Sequence, residues 1–201
     1  YRNIRNYENV TKMNIQGVGM YDIPAIAPAE YQEAELISFN YAKSCKSPAD
    51  KAVHFFVDDY QFNRVWNCAD DYIPMLRKFK YVCTPDFSLY TDHPRAIQIY
   101  NHYRKHWCGA YWQSKGLTVI PTISWSTPSS YDFCFDGVEE NSIVAIGMIG
   151  CKQNRLNFMR GYYAMLEKIH PETIICFGTP FPEMQGNIIT VDYRASRKVV
   201  R

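Results

Sequence analysis

Seven short runs rich in β-branched and aromatic residues alternate with longer stretches of helical period, and few architectures accommodate both periods in one chain. The runs are Leu36 to Phe39, Val53 to Val57, Tyr81 to Thr84, Thr118 to Ile123, Ile143 to Ile146, Thr173 to Phe177 and Ile188 to Val191. Strands separated by helices need crossover connections, so they pair in parallel and carry the helices on their outer faces. The expected fold is α/β: a parallel (β/α) barrel, complete or incomplete, with an open doubly wound sheet as the alternative. With 201 residues the chain is at the short end for eight full repeats.

The intervening helices are marked by their caps and stripes. Asp92 is placed to cap a helix with Pro94 in its first turn, and Ile97, Tyr100, Tyr103 or Arg104, Trp107 and Tyr111 recur down one face before Gly116 ends it. A second helix is expected from Asn154 to Ile169, with Leu156, Met159, Tyr163, Leu166 and Ile169 as its apolar stripe and His170-Pro171 as its stop. A shorter one spans roughly Asp70 to Phe79, and Pro74 argues that it starts late enough to hold the proline in its first turn.

Residues 1–201 read as a single α/β domain. Residues 1–34, weakly periodic and broken by Pro24 and Pro28, are expected to form a wrapping arm. Residues 194–201, with Arg194, Arg197, Lys198 and Arg201, form a basic tail. At 47% hydrophobic and 21% charged the composition excludes disordered, collagenous and coiled-coil chains. The formal charge of +2 is too small for bulk attraction to nucleic acid or membrane. Seven cysteines without a C-x-x-C pair or zinc-ligand spacing read as reduced thiols, and no apolar run reaches 18 residues, so a soluble, cytoplasmic protein without a membrane partner is expected. Oligomeric state is left open.

In parallel α/β folds ligands bind beyond the carboxyl ends of the strands. Asp58 and Asp59 follow the second run and Asp86 follows the third, so carboxylates from neighbouring loops can face one another. Such a pair divides into acid and base, stabilises a developing cation or holds a divalent metal. Asp58 and Asp86 are the catalytic candidates; consecutive side chains diverge, which ranks Asp59 with the substrate-binding group. That group also takes in Asn40, Lys43 and Ser44 after the first run, Ser88 and Tyr90 after the third, and Trp125 as a stacking platform. Gly147 and Gly150 open the loop after the fifth run, where backbone N–H groups can approach an anion. Structural roles compete at each position: Asp often caps helices, and small residues make turns. His54, inside a run, reads as a core histidine, and the segment from Tyr131 to Gly137 as an edge strand or lid.

The segments Asn40-Tyr41-Ala42-Lys43-Ser44, His54-Phe55-Phe56-Val57-Asp58-Asp59-Tyr60-Gln61-Phe62, Thr84-Pro85-Asp86-Phe87-Ser88-Leu89-Tyr90 and Ile120-Pro121-Thr122-Ile123-Ser124-Trp125 resemble an uncharacterised family of phage, plasmid and bacterial proteins, a domain of unknown function. The resemblance extends from about Tyr21 to Gly178 and implies a protein carried on mobile DNA; it implies no reaction. From the residues, the expected function is carboxylate-based chemistry on a nucleotide or nucleic acid, of the glycosyl or base-exchange type, with no cofactor. A Mg2+-dependent phosphodiester enzyme built on the same carboxylates is one alternative. A non-catalytic module that binds a nucleotide or a protein is the other.

Overall fold

Inside and outside alternate along the strands, and that alternation sorts the core into three clusters. The computed structural model describes residues 7–192. A short antiparallel hairpin, β1 (Gly17–Val18) and β2 (Ile23–Pro24), precedes seven parallel strands. One sheet holds β3 (Glu35–Ser38), β4 (Lys51–His54), β5 (Val82–Cys83) and β6 (Val119–Ile120) in that order. A second holds β7 (Ile143–Gly147), β8 (Thr173–Phe177) and β9 (Ile188–Val191), and a lone parallel bridge from Thr122 to Ala145 links the two. Every neighbouring pair in these two sheets is parallel and consecutive in sequence.

Leu36, Ala52, Phe56, Tyr81, Cys83, Ile120, Ile143, Ala145, Ile175 and Phe177 meet in one cluster that draws on both sheets. Across it, the rings of Phe56 and Phe177 stack at 4.9 Å. The intervening residues face the helices. Val53, Phe55, Val82 and Val119 pack with Phe62, Trp66, Trp107 and Trp112, while Val144, Ile146, Ile174 and Cys176 pack with Phe158, Tyr162, Met165 and Ile169. A one-residue slip in any strand would exchange these faces, so burial on both sides fixes the register.

The helices are α1 (Phe39–Ala42), α2 (Arg64–Asn67), α3 (Ala69–Leu76), α4 (Arg95–Ser114) and α5 (Arg155–Ile169). Three details differ from the expectations. Pro94 itself stands at the α4 N-cap, and no side chain caps that end, so Asp92 does not have the role assigned to it. Pro74 lies inside α3 rather than in its first turn. On α5 the buried face is Phe158, Met159, Gly161, Tyr162, Met165 and Ile169; Met159 and Ile169 of the expected stripe belong to it, whereas Leu156 and Tyr163 are exposed. The α5 stop falls at His170, which adopts a left-handed conformation at φ 46°.

Thr118 to Ile123 shortens to β6 because Pro121 has no N–H for a ladder. The segment from Tyr131 to Gly137 is neither strand nor lid: it is a run of turns whose Phe133, Cys134 and Phe135 are fully buried. Before β3, Ile23 and Ile26 are buried, Asn9 donates to the Trp66 carbonyl at 2.8 Å and Lys12 pairs with Asp70 at 2.6 Å. The basic tail lies outside the described residues. Among those described, no helix is long and apolar enough to cross a membrane, and no cysteine is in a disulfide.

Candidate active site

Beyond the carboxyl ends of β4 to β7 lies a cavity of about 300 Å³, and its walls come from the loops that follow each of these strands. Val57 and Asp58 follow β4, and Asp86, Ser88, Leu89 and Tyr90 follow β5. Ser124 and Trp125 follow β6, and Gly147, Ile149 and Cys151 close the far side with Phe158 of α5.

The β5 loop is held from two directions. Thr122 donates two hydrogen bonds of 2.8 Å to Thr84, from its N–H to the Thr84 hydroxyl and from its hydroxyl to the Thr84 carbonyl, which carries the β5–β6 pairing past the end of the ladder. From the side, α4 presents a polar face. Asn101 donates to the Ser88 carbonyl at 2.7 Å, Gln98 to the carbonyls of Tyr90 at 3.2 Å and His93 at 2.9 Å, and Lys105 reaches Asp86 at 3.5 Å. The Lys105 ammonium also donates to the Ser124 hydroxyl and is completely buried.

Asp86 and Lys105 therefore form an ion pair with one end dry and the other at the cavity wall, where the Asp86 side chain is 27% exposed. Burial pushes the Asp86 carboxyl above the usual carboxylate range; Lys105 opposes that and nearby Asp59 adds to it. Burial likewise holds the Lys105 ammonium below its ordinary value, against the pull of Asp86. Both groups are thus shifted toward their neutral forms, a condition suited to moving a proton.

Asp58 is exposed at the rim and accepts a hydrogen bond from Gln61 at 3.1 Å. Asp59 turns away to accept from the Ser88 backbone N–H at 3.0 Å and the Ser88 hydroxyl at 2.7 Å, so it ties the β4 loop to the β5 loop without lining the cavity. Trp125 is seated by Gly161 of α5, where a Cβ would come within 2.1 Å of the indole, and packs on Phe158 at 5.0 Å. Gly147 is required by the Phe56 ring, 2.8 Å from where its Cβ would sit.

Of the sequence candidates, the fold brings Asp58, Asp86, Ser88, Tyr90, Trp125 and Gly147 to one cavity. Asn40 stays outside it and donates to Gln61, one step removed from Asp58. Lys43 and Ser44 stand exposed after α1, with the Ser44 hydroxyl turned back to the Tyr41 carbonyl. Gly150 adopts φ 77° in the turn before α5 and does not line the cavity. His54 is packed between Phe56 and Phe177, as expected of a core histidine. Sequence reasoning missed Lys105 and Ser124. The signal for Lys105 is the row Gln98, Asn101, His102 and Lys105, a polar stripe at three- and four-residue steps on α4; Ser124 directly precedes Trp125 at the end of its run. Among the described residues no three His, Cys, Asp or Glu side chains are grouped closely enough to share a metal ion.

A family model described as "Domain of unknown function (DUF4417)" matches residues 15–194. Two curated relatives are similar over 172 residues, 83% of this chain. The Gene 1 protein of Mycobacterium phage D29 is 38% identical with 64% of its own length covered, and the Gene 1 protein of Mycobacterium phage L5 is 36% identical with 75% covered. The chain thus spans less than two thirds of the D29 protein. No solved structure matches.

Proposed function

We propose, for a chain that belongs to the DUF4417 family, that the cavity is the active site of a carboxylate-based enzyme acting on a nucleotide or nucleic acid by glycosyl transfer or base exchange. We read its seven strands in chain order as an incomplete (β/α) barrel, the architecture that gathers strand-end loops around one site. The reading rests on one observation: Asp86, backed by the buried Lys105, shares a cavity of about 300 Å³ with Asp58, Tyr90 and Trp125.

Each part has a chemical task. Trp125 and Tyr90 offer aromatic faces for a planar base. Asp86 delivers its proton to the departing base as the C–N bond to the sugar breaks and the bonding pair leaves with the base. Asp58 faces the positive charge that develops on the sugar. Water or a second base then bonds to the anomeric carbon and returns a proton to Asp86. Lys105 and Ser124 fix the Asp86 carboxyl in place.

The test is to incubate the protein with nucleosides, nucleotides and single- and double-stranded oligonucleotides in the presence of labelled free bases, with EDTA or with Mg2+. Base release or incorporation that persists in EDTA is expected. Turnover of phosphodiester bonds only with Mg2+ would replace this reading with a metal-dependent one. Binding without turnover, unchanged in Asp86→Asn, would make the protein a binding module.

A further inference from the structure

A second cavity, of about 580 Å³, lies beyond the carboxyl ends of β7, β8 and β9 and is lined by Met148, Ile149, Lys152, Gly178, Thr179 and Asp192 among others. Ile149 lines both cavities, so the two adjoin and together follow the strand ends from β4 to β9. Resting on the reading of the first cavity as a nucleoside site, we propose that the second receives a phosphate group of the same ligand, so that the substrate is a nucleotide or a polynucleotide rather than a free nucleoside or base.

The chemistry of the wall carries this. Lys152 is exposed and forms no ion pair among the described residues, unlike Arg155 three positions on, which pairs with Glu183. Asp192, the carboxylate on that wall, has an interaction of its own. Thr179 and Thr190 add hydroxyl groups. Gly178 holds φ 106°, a conformation that L side chains rarely adopt, and its missing Cβ also clears the approach past Met148. A cation without an ion-pair partner among the described residues, together with small polar residues at late strand ends, suits a phosphate, whose oxygens accept from ammonium and hydroxyl donors.

Isothermal titration of the four nucleosides, their 5′-monophosphates, inorganic phosphate and a mixed-sequence single-stranded oligonucleotide tests the assignment. The phosphorylated ligands should bind about tenfold more tightly than the nucleosides, as expected for one added charge-assisted contact. Lys152→Ala should abolish that difference while leaving nucleoside affinity unchanged. Lys78→Ala, an exposed lysine that precedes β5 at the opposite strand end, should change nothing. Equal affinity of nucleosides and monophosphates, or a Lys152→Ala protein that still prefers the monophosphate, would overturn the phosphate subsite and leave the nucleoside site standing. Failure of every ligand to bind would remove both. If only the oligonucleotide shows the Lys152-dependent gain, the phosphate belongs to a strand and not to a free nucleotide.

Discussion

Asp86 acquires its character from a residue 19 positions away. A carboxylate on a loop would normally be solvated; here a completely buried lysine stands behind it and Ser124 beside it. Removing the ammonium while keeping the stem, as in Lys105→Met, takes away the influence that favours the ionised carboxylate, so Asp86 should hold its proton to higher pH. If Asp86 is the acid, activity falls as pH rises through its titration, and Lys105→Met moves that fall upward. A pH–rate profile of kcat/KM identical to the wild type would show that Lys105 does not act through Asp86. Asp86 itself was legible in the sequence because polar residues just past an apolar run mark a strand end. Lys105 was not, because a lysine on an amphipathic helix is normally counted to the wet face, and the burial of this one depends on a carboxylate brought in by another element.

At the scale of the element, α4 explains most of what apolar periodicity concealed. Its length and stop were readable from Pro94 and Gly116, and Trp107 and Tyr111 are buried as expected. Ile97, the first member of the chosen stripe, is exposed, and the face turned inward carries Gln98, Asn101, His102, Lys105 and His106. These side chains satisfy the backbone of the loops they touch: His102 bonds the Asp136 carbonyl at 3.1 Å and His106 the Pro24 carbonyl at 3.0 Å.

Both rings are buried beside each other and beside Lys105. Burial drives the His102 pKa well below the ordinary histidine value and takes His106 down to about 3. Because the folded values lie below the unfolded ones, the stability these neutral rings contribute is present above about pH 6.5 and is lost as pH falls, since the unfolded chain binds the protons first. Each histidine adds a slope of about 1.4 kcal/mol per pH unit below that point. Urea unfolding between pH 7.5 and 5 should therefore show a falling midpoint; a flat profile would mean that the rings become charged in place.

The neighbouring helix α5 bears a different test, at Gly161. Alanine there would add about 1 kcal/mol of helix propensity. Its Cβ, however, would lie 2.1 Å from the Trp125 indole, and overpacking of that kind costs about 1–3 kcal/mol. Gly161→Ala should destabilise the protein and displace the indole from the cavity wall, read by urea denaturation and by near-ultraviolet circular dichroism. A more stable protein with an unchanged aromatic spectrum would contradict that packing.

Across the whole molecule, the strand order was the part most open to reading. Parallel strands joined by helices in chain order follow from the two hydrophobic periods, and all seven runs reappear as β3 to β9 with shifts of a few residues at their ends. The hairpin β1–β2 escaped because two-residue strands leave no period. Which strand ends converge was less readable. Asn40, Lys43 and Ser44 follow β3 as regularly as Asp58 follows β4, yet β3 is an outer strand and its loop winds into the short α1, away from the cavity. The loops of β4 to β7 share one wall because those strands are consecutive neighbours, and the loops of β7 to β9 line the adjoining space.

The proposed chemistry requires Asp86 to be the group that moves the proton. The measurement that bears on this most directly is turnover by Asp86→Asn, set beside its affinity for the same nucleotide by calorimetry and its unfolding midpoint. We predict retained folding and binding with a loss of about 10² to 10⁴ in kcat, the range for removal of a general acid; an Asp86→Asn protein that turns over at the wild-type rate would contradict the account.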